Sequence, residues 1–285
     1  MRFLKKSQNS KNVGLRFKAY ALNLGLAYCM GKDMSKIKKS IIKYSITVAI
    51  IIALIAIYVY TTENGIANPY FFPKVSKIKK AFDDSKDMML TNLIASFQLV
   101  IPSIIISLIV GIGLGTVMGL NEWVRDSLHP IIYAFSVIPS ILLSPFVLFL
   151  SPNITIASII LIVYNTLWAT LFATITGIMT IDKRYLDKAK TIELNGAKKF
   201  FKVILPAASP SIIAGFINSL RSTFVMLVFA EMYGAQSGMG YFVRINSEYG
   251  LYDKVWCGFI FLVIVLVIVM QLFELLKKAL LRWTM

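Results

Sequence analysis

The sequence predicts an all-α membrane protein with about six transmembrane helices. Apolar residues make up 57% of the 285 residues, against about 45–50% in soluble domains, and the mean hydropathy is +0.72. They stand in long blocks such as IIALIAIYVY (residues 51–60) and FLVIVLVIVM (residues 261–270). These blocks do not alternate apolar and polar residues as barrel strands do. They are therefore expected to form helices, which satisfy their backbone polar groups internally.

Six blocks meet or approach the roughly 20 residues that a helix needs to cross a bilayer core of about 30 Å. The predicted spans cover residues 41–60, 93–120, 131–150, 154–180, 207–231 and 255–276. An even number of spans places both termini on the same side of the membrane.

The distribution of positive charge predicts which side that is. With both termini in the cytoplasm, 22 of the 30 lysines and arginines fall in cytoplasmic segments, 7 fall outside, and Arg221 lies within a span. Cytoplasmic loops of membrane proteins carry such an excess. We therefore expect a multi-pass protein of the cell membrane with cytoplasmic termini, and orientation accounts for the net charge of +16 without a nucleic-acid partner.

The N-terminal part is divided into three segments. Residues 1–40 are predicted to be a basic cytoplasmic or interfacial segment, in which Met34 also looks like a natural beginning. Residues 41–60 form the first span. Residues 61–89 follow as an extracytoplasmic connector, broken at Asn68-Pro69 and Phe72-Pro73. Helical spacing resumes at residues 75–82, which are expected to form a short helix on the membrane surface. Residues 90–285 then form a five-helix core with a cytoplasmic loop at residues 181–206.

Two features of the core concern helix packing. Gly111, Gly115 and Gly119 recur every fourth residue, a pattern that lets helices approach closely. The same GIGLG run resembles a dinucleotide-binding loop, but that motif needs a preceding strand. Pro139 and Pro145 remove backbone donors from the third span and are expected to bend it.

The cytoplasmic loop between the fourth and fifth spans reads IDKRYLDKAKTIELNGAKKFFKVILP. Leu186, Ala189 and Ile192 fall on one helical face, which we expect to be exposed to the cytoplasm. Asn195-Gly196 should then break the helix in the manner of a left-handed cap. An amphipathic helix in this position is suited to docking on another protein, although a connector lying on the membrane surface has the same pattern.

This loop resembles the EAA loop of permease subunits of binding-protein-dependent ABC importers. Asp187-Lys188-Ala189 stands where that family has Glu-Ala-Ala, and Leu205-Pro206 matches its closing Leu-Pro. AEMYGAQSGMGYFV (residues 230–243) and NPYFFPKVSKIKKAF (residues 68–82) are similar to two further motifs of the family. The likeness runs from about Met34 to the end and is typical of the branch that imports taurine, alkanesulfonates, nitrate, bicarbonate or pyrimidine precursors.

The loop also departs from the family pattern. Glu193 occupies the position of the family glycine, and a glycine follows only at Gly196. Asp187 is shorter than Glu, and Lys188 replaces a small alanine. The resemblance implies that the following residues contact the ATPase: Leu186, Asp187, Lys188, Ala189, Ile192, Glu193, Gly196, Leu205 and Pro206.

The resemblance implies a type I ABC importer permease fold and a set of partners. No G-x-x-x-x-G-K-[ST] loop occurs in the sequence, so ATP should be hydrolysed by a separate ATPase dimer and not by this chain. Further expected partners are a second copy of the chain, an extracytoplasmic solute-binding protein and membrane lipid. The chain itself is expected to be no enzyme and to hold no cofactor or metal ion. The solute is expected to be small and anionic or polar, such as a sulfonate, taurine, nitrate or a pyrimidine precursor.

Polar residues within the spans are candidates for lining the solute pathway, because ionisable groups there are costly and often functional. The candidates are Asn165, Asn218, Arg221, Ser222 and Glu231, the last as part of an external gate. Helix packing is the alternative explanation for all of them. Two other functions also remain open at this point, namely a secondary transporter driven by an ion gradient and a membrane scaffold that recruits a cytoplasmic partner.

Overall fold

A computed structural model describes residues 45–282 of the chain, which divides into two compact units at Pro69/Tyr70. In the first unit, helix α1 covers Ser45–Glu63 and is roughly 28 Å long at 1.5 Å per residue. That length suffices for the first predicted span, although its residues 41–44 lie outside the described part. The basic segment predicted at residues 1–40 lies outside it as well.

The second unit contains nine α-helices and one π-helical turn among its described residues. Their bounds are α2 Val75–Leu120, α3 Glu122–Val137, α4 Ser140–Leu150, α5 Ile154–Met179, α6 Lys183–Thr191, α7 Gly196–Lys199, the π-helix Phe200–Ile204, α8 Leu205–Tyr233, α9 Met239–Glu248 and α10 Tyr252–Leu280. The predicted all-α fold is confirmed. Between residues 45 and 282, five helices are long and apolar enough to cross a membrane, or six if the bent pair α3–α4 is one span.

Helix α2 corrects the expected short surface helix at residues 75–82. That stretch is the first part of a continuous 46-residue helix that includes the whole second span. The segment between Phe82 and Leu93 contains neither glycine nor proline, so nothing in it interrupts the helical hydrogen bonds. At roughly 69 Å, α2 is more than twice as long as the bilayer core is thick.

The third predicted span is not the single helix expected at residues 131–150. It consists of α3, which begins earlier at Glu122, and α4, which meets α3 at 92°. The break lies at Ile138-Pro139, where Ile138 is extended, as the residue before a proline prefers to be. The bend predicted for Pro139 is therefore confirmed, whereas Pro145 lies inside α4.

Helix α5 is the centre of the second unit and packs between α2 and α8. The main apolar core joins residues of all three helices, including Val100, Ile162 and Leu220, each of which is at most 2% exposed. The close approach predicted for the glycine face is also confirmed. A Cβ atom added at Gly115 would stand 2.6 Å from Cβ of Thr174, and one at Gly119 would stand 2.9 Å from Cβ of Ile178. The glycines thus let the backbones of α2 and α5 approach closely.

Candidate functional site

The loop at residues 181–206, hereafter the coupling segment after the role that the resemblance implies, begins with a well-capped helix. The Asp182 side chain accepts a hydrogen bond from the Arg184 backbone N–H at 2.9 Å, as an N-cap residue does. Its second oxygen accepts hydrogen bonds from Nε and Nη2 of Arg184 at 2.9 and 2.6 Å. These hydrogen bonds lower the pKa of Asp182 below its ordinary value. The carboxylate therefore stays ionised at neutral pH and fixes the start of α6.

The apolar side of α6 is covered by the chain itself, which corrects the expected exposure of Leu186 and Ala189. Ala189 is 1% exposed. Leu186 is half-buried against a cluster formed by the end of α5, the π-helix and the start of α8. Ile192, by contrast, is 66% exposed. Sequence periodicity finds the apolar face of α6 but not the neighbours that cover it, because these belong to other elements, namely the end of α5, the π-helix and the start of α8.

The exposed surface of α6 is a ridge formed by Asp182, Tyr185 and Lys188 between two depressions. One depression, of 470 Å³, is also lined by Arg184, Asp187 and Thr191. The other, of 490 Å³, lies between α6 and the start of α8 and has Ile192, Lys202 and Pro206 among its lining residues. The ring of Tyr185 is 59% exposed. The first depression is lined by charged and polar residues and the second mainly by apolar ones. Aromatic and cationic groups beside an apolar depression are typical of protein–protein contacts.

The end of α6 has an unusual backbone. Glu193 adopts φ +52°, and the hydrogen bonds around it form a Schellman motif: Leu194 N–H donates to Ala189 O and Glu193 N–H to Lys190 O, both at 2.9 Å. The left-handed residue that caps α6 is thus Glu193 and not Gly196. Gly196 is also left-handed, at φ +55°, and begins α7.

The chain then continues without a break from α7 through the π-helix into α8. The N–H of Leu205 donates to Phe200 O, five residues back, and Pro206 lies in the first turn of α8, as predicted. Leu205 packs against the cluster beneath α6, whereas Pro206 is exposed. Helix α7 is therefore continuous with α8, whereas α6 is separated from α7 by the turn at residues 192–195. Helix α6 is joined to the start of α8 by side-chain packing, through Leu186.

Three pathway candidates share one side of α8. Asn218, Arg221 and Ser222 are exposed in the isolated chain, together with Val225 one turn further on. Arg221 makes no ion pair or side-chain hydrogen bond with the described residues, while Ser222 Oγ donates to Ser219 O at 2.8 Å. Arg221 lies in the middle of the span, where an unpaired charge facing lipid is costly. Within a membrane this side of α8 is therefore expected to face water, a solute or another protein chain.

Asn165 lies in a different environment. Its Oδ1 accepts a hydrogen bond from Oγ of Ser140 at 3.2 Å, at the break between α3 and α4. Its Nδ2 is enclosed and has no partner among the described residues. Ser140 is a polar residue that sequence reasoning missed, and its position directly after Pro139 is the only signal that could have indicated it.

Glu231 is fully buried and holds the turn that follows α8. Its Oε2 accepts a hydrogen bond from the Gly240 backbone N–H at 2.7 Å. The same turn is tied to α2, because Gly238 N–H donates to Asn92 Oδ1 and Met239 N–H to Ser96 Oγ, both at 2.9 Å. This arrangement supports a positioning role for Glu231. Asn92 and Ser96 were also missed, although their spacing of four residues in an apolar helix places both on one face.

The comparisons with known proteins agree with this fold. The family described as binding-protein-dependent transport system inner membrane component matches residues 107–284. The putative aliphatic sulfonates transport permease protein SsuC of Bacillus subtilis (strain 168) is 26% identical over 235 residues, which is 81% of this chain and 84% of that protein. The formylaminopyrimidine transport permease protein ThiX of Halalkalibacterium halodurans is 26% identical over 181 residues, which cover 63% of this chain and 72% of that protein. The nitrate import permease protein NrtB of Leptolyngbya laminosa is 28% identical over 152 residues, which cover 53% of this chain and 54% of that protein.

Solved structures show the same fold at low sequence identity. A chain of the inward-facing MetNI methionine ABC transporter superposes with a TM-score of 0.54 at 16% identity, covering 67% of this chain and 97% of that one. A chain of an amino acid ABC transporter with histidines superposes with a TM-score of 0.55 at 15% identity, covering 70% of this chain and 96% of that one. This chain belongs to the family of inner membrane components of binding-protein-dependent transport systems and is an ABC importer permease subunit.

Proposed function

We propose that two copies of the chain form the solute pathway and that each binds an ATPase subunit through its coupling segment. The observation that carries the proposal is the ridge of α6. Its apolar underside is anchored on the start of α8, while Tyr185 and Ile192 remain more than half exposed. Such a surface presents a rigid contact to a cytoplasmic partner and transmits the partner's movement to α8.

The side of α8 that carries Arg221 supports the paired arrangement. One chain leaves this polar side open, and a second copy related by a two-fold axis would enclose a polar channel with one arginine from each copy. An arginine favours solutes with carboxylate, sulfonate or similar groups. A sulfonate, taurine, nitrate or a pyrimidine precursor fits this expectation, delivered from outside by a solute-binding protein. Family membership favours this function over a carrier driven by an ion gradient and over a scaffold without transport.

The coupling proposal is tested by recovery of the ATPase with purified permease. An aspartate at Ala189 would not test it, because Ala189 is buried within its own chain. Ile192→Asp instead places a charge on the exposed surface. Burial of an aliphatic side chain contributes about 1.5–3 kcal/mol, and an unpaired buried carboxylate costs several kcal/mol. The complex should therefore weaken by roughly 100-fold or more, while the permease folds normally.

Ser247→Asp is the matched control, since it adds the same charge at an exposed position of α9, after the outer end of α8. It should leave ATPase recovery unchanged. Equal recovery with Ile192→Asp and wild-type permease would show that the ridge of α6 is not the coupling surface.

A further inference from the structure

A third cavity lies at the opposite end of α5 from the coupling segment. Its volume is 450 Å³, and it lies between α2, the first turns of α5 and the turn that follows α8. Six of its lining residues are polar and none carries a charge: Gln98, Asn153, Thr155, Ser158, Gln236 and Ser237. In the predicted orientation this cavity opens on the extracytoplasmic side, from which the solute arrives.

The most informative of these residues is Ser158. It is 2% exposed, yet it lines the cavity, and its hydroxyl makes no hydrogen bond with any described residue. Most serines and threonines in the spans donate to a carbonyl one turn back, as Ser103 does to Leu99 O at 2.7 Å. A buried hydroxyl without a partner is costly, so the free donor of Ser158 is suited to a ligand.

The start of α5 adds a second contribution. Asn153 caps this 26-residue helix, its Oδ1 accepting a hydrogen bond from Ile156 N–H at 2.8 Å. The first N–H groups of the helix have no intrahelical partner, and the helix dipole gives this end a partial positive charge. Such an end attracts anions and disfavours cations. The neutral donors around it can solvate an oxyanion without a full counter-charge.

The third wall of the cavity is held rigidly. Ala235, Gln236 and Ser237 belong to the turn, and the next three backbone N–H groups donate to Asn92, Ser96 and Glu231. Three hydrogen bonds, to two side chains of α2 and one of α8, thus anchor the chain directly after these wall residues before any ligand binds. Preorganisation of this kind lowers the entropic cost of binding.

We propose that this cavity is a receiving site for a small oxyanion, bound by the Ser158 hydroxyl, the Gln98 amide and the start of α5. The inference rests on the proposed function, because it assigns the site to the incoming solute. It differs from the pathway lined by Arg221, which lies in the middle of α8. Binding here precedes passage through the membrane and needs no ATPase.

The test uses the full-length permease purified in detergent, without ATPase, and three probes of similar size. Methanesulfonate is an oxyanion, dimethyl sulfone is its neutral counterpart, and tetramethylammonium is a cation. Calorimetric titration should detect saturable binding of methanesulfonate alone. Ser158→Ala and Gln98→Leu should each weaken it roughly tenfold or more, since each removes a hydrogen bond to a charged group. Ser107→Ala, the same change at a buried serine of α2 outside the cavity, should not.

Absence of methanesulfonate binding, equal binding of dimethyl sulfone, or unchanged affinity in both Ser158→Ala and Gln98→Leu would overturn the proposal. ATP-dependent uptake by the wild-type complex distinguishes this failure from failure of the proposed function. If uptake persists without binding at the cavity, only the receiving site is wrong. If the cavity binds methanesulfonate but the ATPase never associates, the proposed function is wrong and the site remains.

Discussion

Oε2 of Glu231 accepts a hydrogen bond from the backbone N–H of Gly240 at 2.7 Å. Gly240 and Gly238 can approach the Glu231 side chain only because they lack side chains of their own. A Cβ atom added at Gly240 would stand 2.8 Å from Cβ of Glu231, and one added at Gly238 would stand 2.4 Å from its Cδ. Gly238 also adopts φ +112°, a region that other residues rarely occupy. The motif AEM…SGMGY is thus one structural unit, in which a buried glutamate fastens the turn that follows it.

Replacement of Glu231 should destabilise the protein to an extent that depends on the replacement. Glu231→Ala leaves the Gly240 N–H without a partner and opens a cavity, which should cost roughly 2–4 kcal/mol. Glu231→Gln keeps both the volume and an acceptor oxygen, so its loss should be smaller. Thermal unfolding in detergent would show this order. Equal unfolding temperatures for the two variants would mean that the hydrogen bond does not stabilise the turn.

The glycine face of α2 provides a second test with an internal control. Gly115→Leu should disrupt the contact with α5 and lower the yield of folded protein, because even a Cβ would stand 2.6 Å from Cβ of Thr174. Gly113→Leu makes the same change two residues away, where a Cβ would meet nothing within 4 Å. Size-exclusion chromatography in detergent should therefore show loss of the folded peak for Gly115→Leu only. Similar yields for both variants would contradict the predicted packing.

The backbone of the coupling segment predicts a stabilising substitution. Glu193 is left-handed at φ +52°, which costs a non-glycine residue about 1–2 kcal/mol. Glu193→Gly should remove that cost. The gain is partly offset because glycine has greater conformational freedom in the unfolded segment. We expect a local gain of about 0.5–1 kcal/mol, seen as a two- to fivefold slower amide hydrogen exchange at residues 193 and 194. Glu193→Ala keeps the strain and should exchange like the wild type, whereas faster exchange in Glu193→Gly would contradict the argument.

The sequence predicts different parts of this protein unequally well, and the reason is physical. Apolar length and glycine spacing are properties of one helix, so the long apolar helices α5, α8 and α10 and the close-packed face of Gly115 are found correctly, whereas the third span is not one helix. The burial of Ala189 depends on where α8 begins relative to α6, which no periodicity encodes. The continuity of α2 is not found from apolar spacing, which ends at Phe82 and resumes with the span at Leu93, although the polar residues between them include no helix breaker. Ser158 could not be found at all, since a serine in an apolar helix usually bonds to its own backbone.

The orientation of the chain remains a prediction and can be tested directly. Reporter domains fused after Gly65, Leu194 and Met285 should report the extracytoplasmic side for the first and the cytoplasm for the other two. The expectation rests on the excess of lysine and arginine in the segments assigned to the cytoplasm. A reporter after Leu194 that faces outside would contradict both the orientation and the coupling proposal.

The last prediction concerns Arg221, whose side chain has no partner among the described residues and lies on the open side of α8. If this side lines the pathway of an anionic solute, Arg221→Met should abolish ATP-dependent uptake by proteoliposomes that contain the permease, its ATPase and its solute-binding protein. Assembly with the ATPase should be unaffected, because the coupling segment is intact. Arg221→Lys keeps the charge but loses the planar pair of donors, so uptake should fall only partly.

Val225→Met is the matched control, because it alters the same exposed side one turn away without removing charge. This variant should transport normally. Normal uptake by Arg221→Met would show that this arginine serves helix packing instead. Loss of uptake in Val225→Met as well would show that side-chain size, and not charge, controls passage along this side of α8.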